Sequence, residues 1–65
     1  MTIHILENAK DGDDDYDLCT IHNIDVIPHK GDKLAIDGYF YIVEDILWHI
    51  YKGKDVSLTI WVDKE

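Results

Sequence analysis

From Tyr39 to Ile50 the chain runs through aromatic and β-branched residues without a Gly or a Pro, and Asp37-Gly38 stands directly before it. Asp-Gly is a pair that two-residue hairpin turns favour, because positive φ at both central positions gives a turn whose twist matches the flanking strands. Ahead of the turn, Leu34 and Ile36 alternate with polar or small neighbours, as a half-buried strand requires. Pro28 and Gly31 punctuate the approach, the first by fixing φ and lacking an N–H, the second by tolerating φ > 0. The stretch from Ile27 to Ile50 therefore predicts a turn, a short strand, a tight turn and one long strand.

Within the long strand the alternation changes phase. Tyr39, Tyr41 and Val43 share one face by the period of two, whereas Ile46, Trp48 and Ile50 fall on the other parity. Either both faces are partly covered, or a β-bulge near Glu44-Asp45 inserts one extra residue and bends the strand. The bulge is preferred, because the alternative buries a carboxylate or exposes a Trp. It would turn Tyr41, Val43, Ile46 and Trp48 inward, with Trp48 in the core, and leave Glu44 or Asp45 outside. A strand bent in this way lets a small sheet curl into a barrel.

The rest of the chain reads as further strands. Thr2 to Glu7 is a first strand, Ala9 to Asp15 a polar loop rich in Asp, and Tyr16 to His22 a second strand. Residues 23–26 extend that strand or make a turn of helix, although the residue before Pro28 prefers extended geometry. Tyr51 to Asp55 is a hairpin loop built on Gly53. Val56 to Asp63 is the last strand, with Val56, Leu58, Ile60 and Val62 on one face and Ser57, Thr59 and Trp61 on the other. No stretch of ten or more residues has the i, i+3, i+4, i+7 pattern of a helix. The expectation is an all-β fold: one domain over residues 1–65, a strongly bent five-stranded antiparallel meander closing into a small barrel, with an acidic loop at residues 9–15.

Composition limits the function. At 46% hydrophobic residues the chain can build a core, but a chain of this size buries only about 60% of its unfolded surface. A lone cysteine, Cys19, forms no internal disulfide, which points to a reducing, cytoplasmic setting. The stretch MTIHILENAK has no basic region followed by an apolar run, and no apolar run reaches membrane-spanning length, so neither a signal peptide nor a membrane role is expected. Fourteen acidic residues face six lysines, for a net charge of −8. That charge argues against direct nucleic-acid binding, which needs clustered cations, and permits steering toward a basic protein surface.

The run Ile27-Pro28-x-x-Gly31-Asp32-x-Leu34-x-Ile36-x-Gly38-x-x-Tyr41-x-Val43-x-x-Ile46-x-Trp48, closed by Val56-x-Leu58-x-Ile60, resembles a pattern common in small SH3-like barrel proteins of bacteria, phages and mobile elements, most of unassigned function. It covers roughly the C-terminal two thirds of the chain. Its matching positions are turn formers and core residues, so the resemblance implies a fold and a bacterial, phage or mobile-element origin and carries over no functional residue.

Candidate chemistry is sparse. Asp11, Asp13 and Asp15 alternate as the first ligands of a calcium loop would, but Tyr16 stands where such a loop needs Gly and His22 where it needs Glu. The loop reads instead as a solvated acidic segment or a contact surface on which Asp13, Asp14 and Asp15 imitate nucleic-acid phosphates. His4, His22, His29 and His49 have no close ligand spacing, so no metal and no cofactor is expected, though His22 and His49 would meet if their strands were neighbours. Cys19 reads as a small hydrophobe on a strand, and no catalytic residue or enzyme is expected.

Aromatic residues are the better lead. Trp61 falls on the face opposite Leu58 and Ile60, and an outward Trp is an efficient anchor for a partner or a second copy. Tyr39, Tyr51 and Trp61 are expected to form one aromatic surface, and a homodimer burying it would relieve the small-core problem. The favoured function is a non-catalytic, acidic, protein-binding or self-associating barrel, including a phage or mobile-element factor that blocks a host defence protein. The alternatives are an oligomer that sequesters small ligands or nucleotides, if Lys30, Lys33, Lys52 and Lys54 cluster, and a structural subunit of a phage or plasmid assembly.

Overall fold

The computed structural model describes residues 1–9 and 15–65. Five strands, β1 (Thr2–Glu7), β2 (Tyr16–His22), β3 (Lys33–Ile36), β4 (Tyr39–His49) and β5 (Ser57–Lys64), form one strongly curled sheet, a half-barrel, with no helix among the described residues. The all-β class, the five strands and the curl are as the alternation predicts.

The turn chemistry holds as well. Asp37 and Gly38 both take positive φ, 51° and 85°, and Gly31 and Gly53 do the same in the turns on either side of the β3–β4 pair. Nothing lies within 4 Å of a Cβ placed on Gly38. The cost of Gly38→Ala is therefore conformational strain alone, about 1–2 kcal/mol, readable as a shift in the urea midpoint at constant slope.

The strand order departs from a meander. It runs β2-β1-β5-β4-β3, and β1 lies parallel to β5 between β2 and β5. Two locally paired units, the β1–β2 hairpin and the β3–β4–β5 meander, are joined by residues 23–32, which carry the chain from one edge of the sheet to the other. Ile24 and Ile27 of this crossing segment pack against the core. The Ile24 N–H donates to the Met1 carbonyl at 3.4 Å, and the Gly31 N–H to that of Val43 at 2.8 Å. The curl stops short of closure, because β2 and β3 do not pair with each other.

The predicted bulge is present. Val43 faces Val62 and Asp45 faces Trp61, so Glu44 is the extra residue, and both carboxylates are exposed. Beyond it Ile46 faces Ile60 and Trp48 faces Leu58, returning both to the concave side. A second bulge sits on β2, where Ile5 faces Cys19 but Leu6 faces Asp17, leaving Leu18 unmatched.

The core lies on the concave side and consists of Ile3, Ile5, Tyr41, Val43, Leu58, Ile60 and Val62. Burial pushes the Tyr41 phenol above its usual range, with further help from the nearby Glu7 carboxylate. Trp48 corrects an expectation: it is on the inner face but 49% exposed, because β4 outruns β3 and its last residues have a neighbouring strand on one side only.

Candidate functional site

Register fixes what the convex face presents. Leu6 faces Asp17 on β2 and Trp61 on β5, and Trp61 faces Asp45 on β4. One row across four strands therefore reads Asp17, Leu6, Trp61, Asp45. The half-buried Trp61 indole donates to Asp15 Oδ2 at 2.9 Å, and Asp15 Oδ1 accepts the Ala9 N–H at 2.9 Å. Asp15 thus ties both ends of the acidic loop's base to β5. In the next row Asp63 accepts a hydrogen bond from Asn8 Nδ2 at 2.9 Å. The convex face thus carries, around one indole whose N–H is already satisfied, Asp15 in contact, Asp45 directly across, Asp63 two residues on and Asp17 two strands away.

The other candidates are dispersed. Asp13 and Asp14 lie outside the described residues, as does Asp11, so only Asp15 of the acidic set has a described place. Tyr39 begins β4, 55% exposed, with Lys64 Nζ 4.2 Å from its ring centroid. Tyr51 follows the opposite end of the eleven-residue β4 and is 62% exposed. An extended strand of that length holds its ends about 35 Å apart. Tyr39, Tyr51 and Trp61 therefore do not share one aromatic surface, a correction forced by strand length that spacing in the sequence already contained. Leu47, Trp48 and Ile50, which precede Tyr51 in the chain, are exposed as well, Leu47 and Trp48 on opposite faces of the strand, an exposure the sequence reading missed because it placed Trp48 in the core.

The histidines sit in polar pairs. His4 Nδ1 lies 3.2 Å from Thr20 Oγ1, and His49 Nε2 lies 2.8 Å from Thr59 Oγ1. His22 and His49 occupy one row, through Thr2 and Ser57, but two strands stand between them. That is roughly 14 Å at ordinary strand spacing, too far to share a ligand. Among the described residues no three His, Cys, Asp or Glu side chains are grouped to hold a metal.

Cys19 is half-buried on β2. Burial raises its thiol pKa, and the Asp37 and Asp17 carboxylates raise it further, so the thiol stays protonated at neutral pH.

The described lysines do not converge. Lys33 pairs with Glu65 at 3.0 Å and, with Lys30, stands beside the middle of β4. Lys52 and Lys54 lie beyond its far end. An open depression of about 460 Å³ between the crossing segment and β3 is lined mainly by Ile24, Val26, Ile27, Pro28 and Leu34. Its polar edge is His29, Asp32 and Lys33.

No helix among the described residues is long and apolar enough to cross a membrane. No protein-family model, curated protein or solved structure matches the chain.

Proposed function

We propose that this chain is a non-catalytic protein-binding module whose convex face receives a basic protein surface, with Trp61 as the apolar anchor. The observation that carries the reading is the row Asp17, Leu6, Trp61, Asp45, to which Asp15 is fastened through the indole. An aromatic ring flanked by carboxylates offers an incoming Lys or Arg both a charge partner and a π-face. The net charge of −8 would steer such a partner from a distance. The resemblance to small barrels of phages and mobile elements adds the role: a factor that occupies a basic surface of a host protein, defence proteins included, and blocks it.

The test is capture of a host protein from bacterial lysate on the immobilised chain, followed by affinity measurement with the captured protein. Trp61→Ala is expected to weaken binding by about 2 kcal/mol or more, as a central aromatic anchor does. The combination Asp15→Asn, Asp17→Asn, Asp45→Asn should slow association and remove most of its salt dependence. Salt-insensitive capture that survives all four changes would end this reading.

A further inference from the structure

The second half of β4 is an open sheet edge of a different kind from the other two. β3 covers β4 from Tyr39 to Ile42 and the Gly31-Asp32 turn bonds Val43, so from Asp45 to His49 the strand has β5 on one side and, among the described residues, no strand on the other. Exposed edges of this sort pair with other strands unless they are short, bulged or carry Lys or Pro. The β3 edge is four residues long and opens on Lys33. The β2 edge is interrupted by the Leu18 bulge. Beyond the Glu44 bulge, the β4 edge is guarded only by the exposed Asp45 carboxylate, which accepts the Ile46 N–H at 2.9 Å and must turn aside for a strand to pair there. The edge shows Leu47 on the convex face and Trp48 on the concave one, 48% and 49% exposed.

That edge is complementary to itself. If two copies lie antiparallel with the two-fold axis at Leu47, Leu47 faces its own counterpart, Trp48 faces Ile46, and His49 faces Asp45. Residues opposite each other in a sheet share a face. The intramolecular register satisfies this in every pair, with Ile46 and Trp48 both concave and Asp45, Leu47 and His49 all convex. Apolar side chains meet apolar ones, and an imidazole meets a carboxylate across the new seam. No two carboxylates oppose each other, which matters for a chain of charge −8.

We infer that a second copy of this chain pairs along β4 from Asp45 to His49, joining two five-stranded half-barrels into one continuous ten-stranded sheet. Ile50 and Tyr51, exposed just beyond the edge, then pack beside the seam. The inference does not use Trp61 or its carboxylates, so the convex face stays available to another protein.

The experiment is light scattering on the full chain across a concentration series, with amide hydrogen exchange on the same samples. The wild type is expected to rise from the 7.6 kDa chain mass to twice that value, more readily at high salt because screening relieves repulsion between two acidic copies. Exchange at residues 45–49 should slow in step. Leu47→Lys, a change at a half-exposed site, places two like charges on the axis and should weaken dimerisation at least tenfold with an unchanged circular dichroism spectrum. Leu47→Cys in a Cys19→Ser background should form a disulfide-linked dimer on mild oxidation, since facing residues of an antiparallel pair lie within disulfide reach. A wild type that stays monomeric at every concentration overturns the inference, and so does a dimer that Leu47→Lys leaves intact and that does not cross-link at position 47. Trp61→Ala should leave dimerisation unchanged, so a failure here and a failure of the convex-face reading are told apart.

Discussion

Ile60→Ala is expected to remove about 2–5 kcal/mol of stability and to leave much of the population without a cooperative unfolding transition. Ile60 is fully buried at the middle of β5, faced by Ile5 on one side and Ile46 on the other. Truncating it leaves a cavity lined by side chains that a curled sheet holds apart, so little collapse can fill it. Total stability for a 65-residue chain is roughly 3–10 kcal/mol, and among the described residues only seven buried side chains share the loss. Lys30→Ala, on an exposed turn, should stay within about 0.5 kcal/mol of wild type. Urea unfolding followed by circular dichroism reads both. A cost below 1 kcal/mol for Ile60→Ala would mean that the concave face is not a single packed core.

Two single-residue deletions should differ even more. Deleting Thr59 from β5 reverses the facing of every residue on one side of the gap, because the side-chain period is two. Either Ser57 replaces Leu58 inside, or Ile60 and Val62 turn out to solvent, and no bulge on β5 absorbs the slip. That variant is expected to be unfolded. Deleting Glu44 removes the residue that has no partner, so Val43, Asp45 and Ile46 then alternate regularly against Val62, Trp61 and Ile60. It should fold with a loss of about 1–3 kcal/mol, through lost bend rather than lost facing. Proton–nitrogen correlation spectra separate the outcomes. A Glu44 deletion as collapsed in its spectrum as the Thr59 deletion would show that the bulge lies elsewhere.

How far the sequence revealed this structure depended on whether the information was local. The strand at Thr2–Glu7, the positive φ at Asp37 and Gly38 and the phase change at Glu44 are all encoded within a few residues. The adjacent apolar pair Leu18-Cys19 carries the same signal of a slipped phase, and it marks the β2 bulge that the sequence reading passed over. Strand partners are not local. Nothing in Thr2–Glu7 states that its second neighbour is β5, since a strand apolar at Ile3 and Ile5 will pair with any strand of matching pattern. The candidate site divides along the same line. Trp61's face followed from alternation, whereas its bond to Asp15 and its place between Leu6 and Asp45 depend on which strands lie side by side. The exposure of Trp48 depended on the length of β3, four residues against eleven in β4.

The parallel seam between β1 and β5 also governs the order in which the sheet can assemble. Its register joins Thr2 to Ser57 and Glu7 to Val62, fifty-five positions apart in each case. Forming it encloses most of the chain in one loop, and the entropy of that closure must be met before its contacts return anything. The β3–β4–β5 meander closes only short turns and so can form early, with half of its core face uncovered. The middle of the finished sheet, where Ile5 lies against Ile60, is therefore the part completed last, and a fold whose centre is its final step exposes its most deeply buried strand, β5, for longest during assembly.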